Sequence, residues 1–402
     1  MKSEDDYKKL SSPEVIQFIE ENLNTPIPTL VLKGSPFDSI EINLLVNQII
    51  GRNKAKKKLP TWYSNQKIIF PPKINLEQSS SEITARHKSK FIEGEKLIDL
   101  TGGFGVDDYY FSKKISELTY SELNSDVFEI AKYNFNVLSV KNIVCHNQDS
   151  IKLLQDSNHK YNWIYVDPSR RNKNQKVFLL KDSLPNLLEY QKLLKEKSFN
   201  AMIKTSPMYD IEMGFKELSG IKEVHIIAIK NEVKELLWII DWRSTNHKMI
   251  KMFNYESSKR FTFNQVIKEA NNDNEVEINT CEDYIYEFNS SIMKSGLNDH
   301  FALKYNLFKL NENTHLYTSK SLLKSFPGKI YKIKSTESIN YKKLKKMYKG
   351  KFINVISKNF KLSALHLKNK IGFKTGTDTD YLIFAKTIEG NRVILATKLI
   401  TT

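Results

Sequence analysis

The 402-residue chain has only two cysteines, Cys145 and Cys281, far apart and outside any CxxC or Cys/His ligand spacing. That excludes a disulfide framework and a zinc site as organisers of the fold. No run approaches the roughly 20 apolar residues that a membrane span needs. The opening residues, Met1-Lys2-Ser3-Glu4-Asp5-Asp6, lack the apolar core of a signal peptide. The chain is therefore expected to be soluble and cytoplasmic, with no membrane partner and no metal. Acidic residues are also in deficit, 46 against 62 lysines and arginines, for a formal charge of +16. Clustered cations bind polyanions by releasing counterions from phosphates, which is one reading of the excess. The other is the lysine drift of a chain rich in Lys, Asn and Ile, as AT-rich genomes encode.

What remains is ample for several cores: 40% of residues are apolar and 11% aromatic, over a length that fits two to four domains. Ser12-Pro13-Glu14 opens a helix whose apolar face carries Val15, Ile16, Ile19 and Leu23. A second helix is expected over 39–58, ending in a basic run at Lys54 and Lys56 to Lys58, so 1–90 reads as a helical module. From 91 to 245 short apolar runs alternate with helical segments, beginning at Leu97, Leu118, Ile143, Trp163, Ala201 and Val224. Such alternation signals a parallel, doubly wound α/β sheet. Asn231-Glu232-Val233-Lys234-Glu235, after the sixth run, reads as a helix cap. Aromatic-rich strands then take over, at 261–263 and 284–288, with a turn at 271–274 between them, and 246–327 fits a small α+β domain. A last α+β unit, 328–402, holds the most one-sided charge block in the chain. Between Ser338 and Thr377 there are 11 lysines and no acidic residue; a solvated helix face and a phosphate-binding surface both fit.

The chemistry centres on Leu97-Ile98-Asp99-Leu100-Thr101-Gly102-Gly103-Phe104-Gly105-Val106-Asp107, a buried strand running through a glycine-rich turn into a helix. Glycine lets a ligand approach the backbone there. A P-loop would need Gly-Lys-Ser/Thr, which is absent. A dinucleotide fingerprint would end in a third small residue, whereas Asp107 and Asp108 follow Gly105 and would repel a pyrophosphate. What is left is an acid followed by small residues at alternate positions, Asp99-x-Thr101-x-Gly103-x-Gly105. Further acids follow later strands: Glu122 after the second, Asp149 after the third, and Asp167 after the fourth in Tyr165-Val166-Asp167-Pro168-Ser169-Arg170-Arg171.

This series resembles the motifs of class I S-adenosylmethionine methyltransferases, with Thr101 in place of the usual first glycine. The resemblance implies a Rossmann-like domain in which Asp99, Thr101, Gly103, Gly105, Glu122 and Asp149 hold S-adenosylmethionine, Glu122 at the ribose and Asp149 at the adenine amino group. Asp167-Pro168 resembles the D/N-P-P-Y/F/W signature of amino-group methyltransferases, but Ser169 and Arg170 replace the second proline and the aromatic ring. That mechanism does not carry over intact. Asp167, Pro168 and Arg170 are the expected catalytic group, with Asp167 orienting the acceptor. Arg171, Lys204 and Tyr209 are expected at the substrate, Arg171 through a phosphate; salt bridging at a strand end is the alternative for the arginines. Ser80, Thr84 and Arg86 read either as lining of the cofactor pocket or as a helix cap. No cysteine follows the fourth or fifth strand, which disfavours covalent pyrimidine methylation.

Gly51-Arg52, Lys57-Lys58-Leu59-Pro60, 78–86, the glycine loop, 167–171 and Phe326-Pro327-Gly328 together resemble a bacterial group of class I methyltransferases with a C-terminal THUMP-like domain. That resemblance implies helical, Rossmann-like, ferredoxin-like and THUMP-like parts in this order, and by analogy an RNA substrate, a tRNA or rRNA base. A protein or small-molecule methyltransferase, and an RNA-binding protein that has lost catalysis, are the alternatives.

Overall fold

The computed structural model describes residues 4–170, 179–244, 249–256, 259–266, 275–376 and 379–399. The chain divides into two compact units, one of residues 1–224 with 236–246, the other of 225–235 with 247–402. Among the described residues no helix is long and apolar enough to cross a membrane.

The first unit begins with seven helices, α1 (Glu4–Leu10), α2 (Pro13–Glu21), α3 (Ile27–Lys33), α4 (Ile42–Lys58), α5 (Pro60–Ser64), α6 (Lys73–Gln78) and α7 (Glu82–Ser89). The alternating region follows as β1 (Lys96–Asp99), α8 (Val106–Phe111), β2 (Glu117–Ser121), α9 (Ser125–Val137), β3 (Ile143–His146), α10 (Ser150–Asp156) and β4 (Tyr161–Val166). It continues through the short strands β5 (Ser169–Arg170) and β6 (Ser183–Leu184), then α11 (Leu187–Lys197), β7 (Ser198–Thr205), α12 (Ile211–Glu217), β8 (Ile221–Ile229) and β9 (Glu232–Asp241). Caps sit where the side chains provide them: Ser81, Asn124, Asp149 and Asp210 each accept a backbone N–H in the first turn of α7, α9, α10 and α12.

The strands lie in the order β8-β9-β7-β4-β1-β2-β3. From β3 to β7 all pairings are parallel, whereas β9 runs antiparallel to β7. The helix cap expected at Asn231 is instead a tight turn: Lys230 and Asn231 have φ of 52° and 60°, the left-handed pair that a two-residue hairpin demands. Residues 232–235 accordingly begin β9. Residues 1–90 have no separate core, because Trp62, Phe70, Leu76 and Ala85 share one apolar cluster with Phe104, Val106, Tyr110 and Ile130.

The second unit carries the tip of the β8–β9 hairpin with β10 (Met249–Glu256) and β11 (Lys259–Val266), an antiparallel pair. The turn expected at 271–274 lies outside the described residues. Then come β12 (Tyr284–Phe288), α13 (Ser290–Ser295), α14 (Asn298–Lys304), β13 (Phe308–Asn311), β14 (Thr314–Ser319) and β15 (Gly328–Ser338). The chain ends with α15 (Tyr341–Tyr348), β16 (Asn354–Lys358), α16 (Ala364–Ile371), β17 (Asp380–Thr387) and β18 (Gly390–Leu399). Residues 246–327 and 328–402, read as two domains, do not separate that way: 284–327 and 328–402 meet in one seven-stranded sheet, β13-β14-β12-β15-β18-β17-β16, and β10 and β11 lie outside it. The join is the antiparallel pairing of β12 with β15, from Tyr284 opposite Lys332 to Phe288 opposite Gly328. One apolar cluster spans it, with Ile285, Leu310 and Leu316 beside Tyr331, Ile383 and Ile394.

Candidate active site

Parallel strands of an open sheet present their carboxyl ends along one rim, and ligands of such folds bind there. In the first unit this rim is tied together by hydrogen bonds between successive loops. Gly103 N–H donates to Glu122 Oε2 at 2.9 Å, and Asn124 N–H donates to Oε1 at 2.7 Å. Asn147 Nδ2 donates to the Glu122 carbonyl at 2.7 Å, and Ser121 Oγ to the Gln148 carbonyl at 3.0 Å. Thr101 joins the loop after β1 to the one after β4: its hydroxyl donates to Asp99 Oδ1 (3.1 Å) and accepts from Asp167 N–H (2.6 Å). Glycine at position 101 would lack this link, which explains why threonine serves there.

Two glycines of the loop are required for different reasons. At Gly102 a Cβ would lie 2.2 Å from the ring of Tyr120, whose hydroxyl donates to the Gly103 carbonyl at 2.6 Å. Gly103 has φ of +57°, and a Cβ there would meet only the Thr101 carbonyl, at 3.7 Å. A left-handed residue with open space before it leaves the backbone accessible to a ligand. Beside it stands the partly exposed carboxylate of Glu122, so the loop favours a ligand with hydroxyl or amino donors over a polyanion.

Asp99 is set beneath this loop rather than at its surface. It is buried, and its Oδ1 is taken by the N–H and hydroxyl of Thr101. Burial pushes its pKa up to about 7, against the Thr101 N–H and helped by Asp107 nearby. Asp108, also buried, has its pKa raised well above the ordinary value, by burial first and then by the neighbouring Asp99 and Asp107. Two interacting buried carboxyl groups do not both ionise readily, so the pair retains a proton that a carboxyl in water would have lost.

Asp107, the other acid of this helix start, is charged. Burial opposes its ionisation, but the Lys88 and Lys204 ammonium groups and the Ser80 hydroxyl outweigh it and hold the carboxyl below its usual range. Lys88 on α7 has no exposed surface and lies 2.8 Å from Asp107 Oδ1. Its Nζ also donates to Ser80 Oγ (2.6 Å) and to Tyr165 Oη on β4 (3.2 Å), and that tyrosine donates to Asp107 Oδ2 at 2.8 Å. The helical segment is thus bound into the rim by a buried ion pair. Ser80 belongs to this cluster; Thr84 and Arg86 serve α7 itself, Thr84 by bonding back to Ser81 and Arg86 by pairing with Glu82 at 2.7 Å. Lys88 went unnoticed in the sequence, although two adjacent acids in the apolar start of α8 signalled a need for a buried cation.

Asp167 and Lys204, at the ends of β4 and β7, form an ion pair. Lys58, at the end of α4, donates to the Leu76 and Glu77 carbonyls (2.7 and 2.9 Å). Its pKa is lowered to about 8 by burial and then by the charges of Lys204 and Lys54. Pro168 is buried, and the chain after it is pinned where Ser169 and Arg170 pair with Leu184 and Ser183. The Arg170 side chain and all of Arg171 lie outside the described residues. Asp149 is exposed, and its Oδ1 caps α10 through Ile151 and Lys152 N–H. Tyr209, expected at the substrate, is instead a core residue: it is 1% exposed, packs edge-on against Trp238 and donates to Glu217. Burial pushes the Cys145 thiol up to about 12, leaving no thiolate nucleophile there.

A ferredoxin-like domain family matches residues 284–327, and a THUMP domain-like family matches 328–398. A crystal structure from Porphyromonas gingivalis W83, of a protein assigned as a methyltransferase, superposes with a TM-score of 0.84. It is 25% identical, with 96% of this chain and 97% of that one covered. An uncharacterized RNA methyltransferase of Mycoplasma mobile is 31% identical over 93 residues, which is 23% of this chain and 26% of that relative. The chain therefore matches about a quarter of that curated relative's length. The chain therefore shares the fold of the Porphyromonas protein over nearly its whole length and carries a ferredoxin-like and a THUMP-like domain toward its C-terminal end.

Proposed function

We propose that this protein transfers a methyl group from S-adenosylmethionine to RNA, a base of tRNA or rRNA. The observation that carries the reading is the rim in which Gly103 N–H meets Glu122 while Thr101 holds the loop that bears Asp167. Thr101, Gly103, Gly105, Glu122 and Asp149 are the residues that would hold the donor, with Asp99 supporting the loop from below. Bound S-adenosylmethionine supplies an electrophilic methyl group on sulfur. The chain contributes positioning. Lys204 pairs with Asp167 and holds it in place, and Asp167 serves as a hydrogen-bond acceptor that orients an N–H of the acceptor base. Arg170 and Arg171 follow directly and suit a neighbouring phosphate. The lysine block 338–377 supplies the long-range attraction, and an RNA acceptor agrees with the similarity to the uncharacterized RNA methyltransferase of Mycoplasma mobile.

The test uses the full chain, because β15 pairs with β12 and removing 328–402 would break the sheet. Incubation with S-adenosylmethionine labelled in its methyl group, followed by separation of RNA, protein and small molecules, is expected to place label in RNA. Asp167→Ala should lower incorporation by about 100-fold or more, the range for removing a positioned acid–base group. Glu122→Ala should weaken donor binding in calorimetry. Label confined to protein would refute the RNA substrate, and absence of donor binding would refute the methyl donor.

A further inference from the structure

One aromatic side chain in the second unit faces outward without any packing reason. Residues 349–353 run beside 372–376: Gly350 N–H donates to the Gly372 carbonyl, Lys374 N–H to Lys351 and Ile353 N–H to Lys374, at 2.8 to 3.0 Å. Phe352 and Lys374 are opposite each other in parallel register. Extended segments alternate their side chains between faces. Ile353 and Phe373 take the inner face, in the cluster with Leu344, Leu367, Ile371 and Leu382. Their neighbours Phe352 and Lys374 are left on the outer one.

Phe352 is 61% exposed, and the Lys374 ammonium lies 5.6 Å from its ring centre. A Cβ at Gly376 would come within 2.9 Å of Phe352 Cβ and 3.1 Å of its carbonyl carbon. The Gly376 backbone is therefore laid against the root of the phenylalanine and holds it in place. Singly exposed apolar residues are ordinary. What sets this one apart is its setting: a ring anchored at its base, a cation against it, and 11 lysines without one carboxylate between Ser338 and Thr377. A free aromatic face stacks on any base, and surrounding ammonium groups follow the phosphates. An acidic peptide would use the lysines but not the ring, and a duplex keeps its bases stacked internally.

We propose that Phe352, with Lys374 beside it, is a stacking platform for an unpaired base of single-stranded RNA, an inference that rests on the RNA reading above. The probes are a fluorescent 12-nucleotide oligoadenylate, a blunt 12-base-pair RNA duplex and polyglutamate, each titrated against the full chain at two salt concentrations. For the wild type, oligoadenylate binding that weakens with salt is expected. Phe352→Ala should weaken it about 5- to 150-fold, the range for loss of one stacked base. The same change should leave duplex binding within about twofold, and Phe352→Tyr should retain single-strand affinity. Wild-type binding to the single strand that Phe352→Ala leaves unchanged would overturn the platform while the RNA reading stands. Equal losses on single strand, duplex and polyglutamate would also overturn it. Failure of the wild type to bind any RNA would overturn the RNA reading, and the platform with it.

Discussion

Replacing Lys88 with methionine keeps the length of the side chain but removes the cation that faces Asp107 at 2.8 Å, where Lys88 has no exposed surface and the Asp107 side chain is 10% exposed. Breaking a buried ion pair by removing one partner costs roughly 3–5 kcal/mol, since the remaining charge is stranded. At roughly 2–4 °C per kcal/mol for a unit of about 150–250 residues, the melting transition should fall by about 6–20 °C at pH 8. The deficit should depend on pH in a definite direction. In the wild type the Asp107 carboxyl is held below its usual range, so its contribution is present above the ordinary carboxyl pKa and lost as acid protonates it. Without Lys88, burial dominates and the folded pKa moves above the unfolded one. The variant then keeps a stabilising proton at low pH and loses that benefit as pH rises through the new value. The gap between variant and wild type is thus widest at pH 8 and narrower at pH 5. Lys88→Met with Asp107→Asn should recover much of the loss, because no buried charge is left unmatched. Calorimetric melting of the three proteins at both pH values measures this. A single variant that melts with the wild type at pH 8, or a double variant no more stable than the single one, would refute the reasoning.

Thr101→Val removes the hydroxyl that accepts from Asp167 N–H. The expected cost is about 1 kcal/mol, the net worth of one hydrogen bond at a partly buried position, read in denaturant unfolding, with methyl incorporation reduced more than donor affinity. Asp108→Asn replaces one carboxyl of the buried pair by an amide that does not titrate. With Asp99 raised to about 7 and Asp108 raised as well, the pair favours the fold at low pH, and this benefit is lost as pH rises through about 7. The variant should flatten the change in melting temperature between pH 5 and 8; an unchanged slope would count against a shared proton.

The alternating runs from Leu97 to Ala201 identified the sheet because the strands are short and apolar and several are followed by a capping residue, as at Asn124, Asp149 and Asp210. The hairpin at Asn231 escaped the same treatment. Asparagine after an apolar run serves equally as a helix cap and as the left-handed residue of a tight turn, and only the pairing partner decides. The rim was readable where one residue ends one strand, as with Glu122. It was not readable where partners come from separate elements, as with Lys88 on α7, Asp107 on α8 and Tyr165 on β4. Tyr209 shows the converse error: a loop aromatic looked accessible, yet Trp238 and Glu217 hold it in the core. Pro168 and Arg170 could be placed along the chain, but the replacement of the usual aromatic leaves their role to chemistry beyond motif matching.

The two C-terminal family matches abut at residues 327 and 328, yet this seam falls between hydrogen-bonded neighbours, β12 and β15. Homology therefore marks a joint where the backbone has none. Neither half can be transplanted into another scaffold alone without leaving a raw, adhesive strand margin. A chimera that borrows this C-terminal end should carry β12 through β18 as one inheritance.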